Sequence, residues 1–297
     1  MNVVTDVRVP AAAMDSPRML VERYGLAPAG ARPSFPRYLG ELWARRHFIV
    51  SYTKASNAAT YSRSLLGQLW QVLTPLLNAG VYYLVFGILL RTSRGVHNYI
   101  CFLIIGVFVF HFMTHAMNMA SKAVQSNLNL IRTLKFPRAS LPLGTTTQCV
   151  QQFLISCVVL LPVALLTGEH PAAKWLLTLP TSVLCVTFAL GLSMIVARIG
   201  AKIPDTTQIL PFVLRTWLFF SGVFYNVDKV ANRHGALVQY VMHLNPGAVY
   251  IDLMRSSILH LHPYYKYDWI AGVGWAVVAL AFGLVFFWQA EEDYGRG

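Results

Sequence analysis

The sequence predicts an all-α membrane protein: six transmembrane helices, an N-terminal amphipathic interfacial helix and a re-entrant outer hairpin before the last helix. Three observations carry this. Of 297 residues, 56% are hydrophobic and 12% charged, where soluble domains carry about 25% charged residues. The mean hydropathy is +0.50. Six predominantly apolar runs, at 69–90, 99–120, 148–167, 175–196, 206–226 and 269–290, approach the ~20 residues needed to cross hydrocarbon.

Residues 1–36 are rich in Pro, Ala and Arg and contain no apolar core of signal-peptide length. They read as a disordered cytosolic arm, followed by a membrane domain over 37–297. At its start Leu39, Leu42, Trp43, Ile49 and Val50 recur at helical spacing, with Glu41, Arg45 and Arg46 between them. That pattern predicts a helix lying on the inner leaflet, or one packed on a soluble partner.

The first span carries a polar stripe of Gln71, Thr74, Asn78 and Tyr82. The second carries His111, His115, Asn118, Lys122 and Gln125, and the third opens on Thr145, Thr146, Thr147, Gln148, Gln151 and Gln152. Polar groups at membrane depth face a bundle interior or a wet path, not lipid. Interhelical hydrogen bonding accounts for each stripe alone; the three together point to a lined conduit. His111 and His115 also have the spacing of a metal pair, yet two histidines without a third ligand make no site.

The fifth span contains Arg215, disfavoured there by ~2.5–3.5 kcal/mol on the mild insertion scale, so it requires either a structural contact or a position on the path. Phe219 and Phe220 follow it; flat rings suit sugar faces and also ordinary interfacial belts. The channel-lining candidates are therefore Asn78, Tyr82, His111, His115, Asn118, Arg215, Phe219 and Phe220. Before the last span, a semi-apolar run at 236–261 is interrupted by Asn245, Pro246 and Gly247, the punctuation of a broken hairpin. Such a hairpin dips into the outer leaflet only if protein or a wet cavity satisfies its backbone.

Charge fixes the expected orientation. With 24 Lys and Arg against 12 Asp and Glu the net charge is +12. A cytosolic N-terminus places sixteen of the cations inside and seven outside, with Arg215 within a span, so both termini are expected inside. Basic loops beside anionic headgroups account for this charge without nucleic acid.

Other chemistry is missing. Cys101, Cys149, Cys157 and Cys185 all lie in apolar runs, without disulfide or zinc spacing. There is no nucleophile elbow, and without a Gly-Lys pair the chain cannot form a Walker A cradle. The one acidic run, 291–293, reads as a solvated terminus. The chain is expected to bind no metal and to hydrolyse no ATP itself.

Several segments resemble a known family. Residues 61–70, Tyr-Ser-Arg-Ser-Leu-Leu-Gly-Gln-Leu-Trp, with Pro75-Leu76, are similar to the entry into the first span of polysaccharide ABC exporter permeases, the type-2 group that moves O-antigen and teichoic acid. Asn129-Leu130-Ile131, Lys135-Phe136-Pro137-Arg138 and Leu141-Pro142 resemble its cytosolic coupling segment. Ser221-Gly222-Val223-Phe224-Tyr225 and Leu244-Asn245-Pro246 with Arg255 complete an ordered resemblance over 38–294. Thr60 and Pro204 stand where the family carries Arg.

The resemblance implies two permease copies with a channel between them and two separate nucleotide-binding ATPase subunits, ATP and Mg being held there and no cofactor here. It implies that 125–142 is the coupling helix, with Asn129, Ile131, Lys135, Phe136, Pro137 and Arg138 meeting the ATPase. It also implies that 38–60 is a gate at the lipid entry and 236–261 an outer gate about Asn245, Pro246 and Gly247. Arg45, Arg46, Lys54 and Arg63 would meet the head group of a lipid-linked polysaccharide among the membrane lipids. The Ala- and Arg-rich arm fits the branch that exports a cell-wall galactan on polyprenyl diphosphate. Two other readings remain: a small-lipid or drug exporter of the same fold, and a polytopic glycosyl- or acyltransferase.

Overall fold

The computed structural model describes residues 33–61, 67–90, 96–134, 136–227, 236–292 and 294; the expected N-terminal arm, Arg63 and Lys135 lie outside them. Every regular element among the described residues is helical. Two short helices, α1 (Phe35–Ala44) and α2 (Arg46–Tyr61), precede α3 (Trp70–Tyr82). A π-helical stretch, Tyr83–Leu89, continues α3. Then follow α4 (Tyr99–Ala123), the short α5 (Leu128–Thr133), α6 (Ser140–Leu166) and α7 (Thr178–Lys202). The chain ends with α8 (Thr206–Phe220), α9 (Ala236–Leu244), α10 (Pro246–Ile258) and α11 (Lys266–Gln289).

Lipid tails are as apolar as Leu, so helices in a bilayer associate through close packing and interhelical hydrogen bonds rather than by escape from water. The pair α7 and α11 uses the first device. A side chain on Gly191 would overlap the backbone of Ala279, and one on Gly283 would overlap the carbonyl of Gly191. The two backbones are therefore in direct contact and form the rigid side of the bundle. α4 is the central helix, with most of its length buried against α6, α7 and α10. One apolar core runs along it from Phe102 to Ala116, and a second gathers Tyr38, Leu42, Ile131, Leu141, Met194 and Phe287 at the other end.

Five stretches are long and apolar enough to cross a membrane: Val72–Leu89, Tyr99–Ala123, Ser140–Leu166, Ala173–Lys202 and Lys266–Gln289. The expected span at 206–226 is shorter. Its helix has 15 residues, about 22 Å at the α-helical rise, and ends in a turn at Ser221 and Gly222. α3 and α8 are the least covered helices: Leu77, Val81, Ile209, Phe212 and Val213 are exposed.

One further expectation changes. The single amphipathic helix is two helices meeting at Arg45. α1 buries Tyr38 and Leu42 while Trp43 is 72% exposed, so one face grips the bundle and the other is free for the leaflet. The third polar stripe is engaged by hydrogen bonds within its own chain. Thr145 and Thr146 donate to the Pro142 carbonyl and Thr147 to that of Leu143. Gln148 and Gln151 accept from Ser56 and Asn57 of α2 at 3.3 and 2.6 Å. That stripe is the seam between α2 and α6.

Candidate functional site

Parts of the first two stripes converge, while Gln125 is turned away to the Gly200 carbonyl. Asn78 and Tyr82 of α3, His111, Thr114 and Asn118 of α4, and Pro211, Leu214 and Arg215 of α8 wall an open-sided cavity of about 230 Å³. Helical periodicity places the polar members of each helix on one face, and the spare coverage of α3 and α8 leaves that face unfilled. Arg215 is exposed and lines this cavity. His115 is directed elsewhere: with Pro75, Gln152 and one side of His111 it lines a separate crevice of about 10 Å³. The two imidazoles stack at 5.5 Å, and no group of three or more metal-ligating side chains occurs among the described residues. On its other side α8 borders an apolar cleft of about 230 Å³ lined by Phe188, Trp217, Trp275 and Phe282.

One end of the polar cavity is closed by aromatic rings. Tyr82 meets Phe224 edge-on at 4.8 Å, Phe86 stacks on Phe224 at 4.2 Å, and Phe219 lies 5.7 Å from it. Tyr99 donates to the Phe224 carbonyl at 2.9 Å. Phe219 thus belongs to this closure rather than to the cavity wall. Phe220 is 61% exposed, and its carbonyl receives the Asn245 amide at 2.9 Å.

The helical run is interrupted at Asn245, between α9 and α10, as expected. Asn245 caps α10 by accepting the Gly247 N–H at 3.0 Å and also accepts the Trp217 indole N–H at 2.8 Å. Pro246 starts the helix, where its missing N–H costs nothing. Gly247 is required because a side chain there would strike Ser221. The corner therefore ties α8 to α10.

α10 is buried along its length, and within it Arg255 is wholly inaccessible. Its guanidinium lies 3.3 Å above the Phe102 ring and donates to the carbonyls of Phe102, Gly222 and Val223 and to Asp252. The sequence marks this residue only as part of the family resemblance that follows Leu244-Asn245-Pro246 and gives no sign that it is buried. Beyond it, Glu169 accepts the His260 N–H at 2.8 Å and the Asn98 amide at 3.0 Å. Burial pushes the Glu169 carboxyl up, but these donors and the nearby His260 ring outweigh it and hold it below its usual value.

At the opposite end three distant segments meet. The Tyr38 hydroxyl donates to Glu291 Oε2 at 2.8 Å, and the Arg138 N–H donates to Oε1 at 2.8 Å. The Arg138 guanidinium reaches the Glu291 carbonyl, and the Ala139 N–H donates to the Tyr38 oxygen at 3.2 Å. Burial raises the Glu291 carboxyl above its usual range in spite of these donors, and burial beside Glu291 raises the Tyr38 phenol. Glu291 is only 8% exposed, which overturns its reading as a solvated terminus. Phe48 of α2 packs 5.3 Å from Phe136, so the expected gate and coupling segments form one body.

Within that body, Arg45, Arg46 and Lys54 are exposed and Asn129 is exposed, while Ile131 and Pro137 are buried and Phe136 and Arg138 are half-buried. Ile131 sits in the inner core, packed on this chain's own side chains. The exposed apolar side chain at the segment's tip is Leu134, 51% exposed. It lies outside the expected set, although its place between charged neighbours was the available signal.

The sequence model of the ABC-2 type transporter family matches residues 48–259. The chain is 25% identical over 220 residues to the O-antigen export system permease protein RfbA of Myxococcus xanthus, covering 74% of this chain and 82% of that protein. It is 24% identical over 238 residues to a protein of the same description from Klebsiella pneumoniae, covering 78% and 89%. The family match takes in the cavity walls, the coupling segment and the Asn245 corner, and this multi-pass membrane chain belongs to the ABC-2 type transporter family.

Proposed function

We propose that this chain is the membrane subunit of an ATP-driven exporter that carries a lipid-linked polysaccharide from the cytosolic to the outer face of the plasma membrane. Two copies work with two nucleotide-binding ATPase subunits, which hold ATP and Mg, and both termini of this chain are cytosolic. The cargo is a glycan on polyprenyl diphosphate, a galactan precursor in our reading. The carrying observation is the open-sided cavity walled by Asn78, Tyr82, His111, Asn118 and Arg215. Hydroxyl, amide and imidazole groups match sugar hydroxyls, an aromatic ring matches a sugar face, and the open side admits a lipid-anchored chain without drawing its tail out of the bilayer. The O-antigen export permeases it is similar to support the same class of cargo.

The head group enters at the cytosolic face past Arg45, Arg46, Lys54 and Arg63, which as cations make charge-assisted contacts to phosphate oxygens. The outer hairpin about Asn245, Pro246 and Gly247, dipping into the outer leaflet, acts as the exit gate. The test uses inside-out vesicles containing the chain and its ATPase. Labelled polyprenyl-diphosphate galactan should become protected in the lumen only when ATP is present. Movement of short-chain lipids but not of the glycan, or equal protection without this chain, would overturn the reading.

A further inference from the structure

Glu291 occupies a mechanical position that transport through the cavity does not by itself require. It follows α11, whose backbone is in direct contact with that of α7 at Gly191 and Gly283, so its own anchor is a helix packed backbone to backbone on its neighbour. Its two carboxylate oxygens are divided between two separate arms. Oε2 takes the Tyr38 hydroxyl of α1 and Oε1 takes the Arg138 N–H of the segment after α5, both at 2.8 Å. The ring is closed by the Ala139 N–H donating back to the Tyr38 oxygen at 3.2 Å. The contacts join positions 253, 153 and 101 residues apart. α1 is further tied to the same end by the Trp288 indole on the Pro33 carbonyl at 2.9 Å and by Phe35 against Trp288.

We infer that Glu291 is a positioning residue, the fulcrum through which displacement of the 128–139 segment is delivered to α1. The inference rests on the proposed function, which supplies the force on that segment. The geometry supplies the transmission. The donors of Arg138 and Ala139 are adjacent in the chain, one held by Glu291 and the other holding Tyr38. A shift of the segment that keeps the ring intact carries Tyr38 with it; a larger shift breaks both arms together and frees α1. Buried polar rings of this kind have two arrangements, satisfied or opened, rather than a continuum. Trp43 and Leu39, on the exposed face of α1, are what the movement would sweep through the leaflet, beside Arg45 and Arg46.

The experiment uses the full chain with its ATPase in proteoliposomes, comparing wild type with Glu291→Ala, Glu291→Gln and Tyr38→Phe. Two quantities are read: glycan exported per ATP hydrolysed, and the distance between spin labels at residues 43 and 278, with and without nucleotide. In wild type the label distance changes with nucleotide. In Glu291→Ala and Tyr38→Phe the complex assembles and hydrolyses ATP, export per ATP falls about tenfold, the size of one lost charge-assisted hydrogen bond, and the distance change disappears. Glu291→Gln, which keeps one acceptor, falls less. If Glu291→Ala does not fold, Tyr38→Phe, which deletes a single hydroxyl, is read by the same criteria. Export per ATP and label movement equal to wild type in Tyr38→Phe would overturn the inference while leaving the proposed function standing. A wild-type complex that exports no glycan yet shows label movement lost in Tyr38→Phe would overturn the cargo and keep the fulcrum.

Discussion

Arg255 covers Phe102 twice over: its guanidinium lies 3.3 Å above the ring and donates to the same residue's carbonyl at 3.2 Å. Phe102 is in the first turns of α4, and Arg255 also holds Gly222 and Val223 at 2.9 Å each. One cation thus fastens the central helix, the turn after α8 and the buried α10.

Its removal takes this buried donor from three carbonyls and leaves Asp252 with His262 as its remaining partner. Arg255→Ala should cost about 3 kcal/mol or more and lower the melting temperature of the purified chain in nanodiscs. Arg255→Lys should recover little, because a point ammonium cannot span acceptors that a planar fork reaches together. Melting unchanged in Arg255→Ala would refute this.

Arg215 should behave in the opposite way. It is exposed into the polar cavity and has no ion-pair partner among the described residues, so Arg215→Gln should leave abundance and melting unchanged. Export of the lipid-linked glycan should fall about tenfold, the loss expected when a charged donor to an anion is removed. Vesicle export normalised to protein measures it. Unimpaired export would remove Arg215 from the path.

Leu134 and Ile131 separate docking from folding. Leu134 is 51% exposed and Ile131 is 9% exposed within the inner core. Under the proposed function, Leu134→Glu should weaken co-purification with the ATPase by about tenfold, as burial of one Leu implies, without loss of folded chain. Ile131→Glu should instead reduce the yield of folded chain. The reverse pattern in size-exclusion profiles and pull-downs would show that the segment docks by its other face.

The Glu169 clamp gives a pH dependence with a definite sign. Its carboxyl is held below its ordinary value by the His260 and Asn98 donors and the His260 ring, so the folded state favours the ionised form. The stabilisation is complete above that value and is lost as pH falls through the depressed one. Protection from hydrogen exchange at His260 and its neighbours, taken relative to the intrinsic rate at each pH, should be high at neutral pH and fall as the pH drops below the ordinary glutamate range. Glu169→Gln should show reduced protection already at neutral pH. Protection that is the same in both proteins at neutral pH and on acidification would contradict the assignment.

Much of the cavity was legible in the sequence because helical periodicity is local. Offsets of four and seven put His111 and Asn118 on one side of α4, and the same rule pairs Asn78 with Tyr82. Gln148 and Gln151 form an equally regular stripe whose partners are Ser56 and Asn57. A stripe reports which side of its own helix is polar and not what lies across from it. His115, one turn along α4, shares the narrow crevice with His111 and does not line the wide cavity.

The sequence by itself determined the class of protein, the positions of the apolar helices, the break at Asn245-Pro246-Gly247 and the candidate polar faces, since composition and short spacings encode all of these. Only the tertiary structure decided which cation is buried and which is wet. Arg255 and Arg215 look alike to any hydropathy window, and their fates differ because carbonyls freed at the turn after α8 converge on one and an open-sided cavity on the other. It also turned an acidic tail into a fulcrum. The link from Tyr38 to Glu291 spans 253 residues, and no local pattern records a hydrogen bond made by folding across that distance.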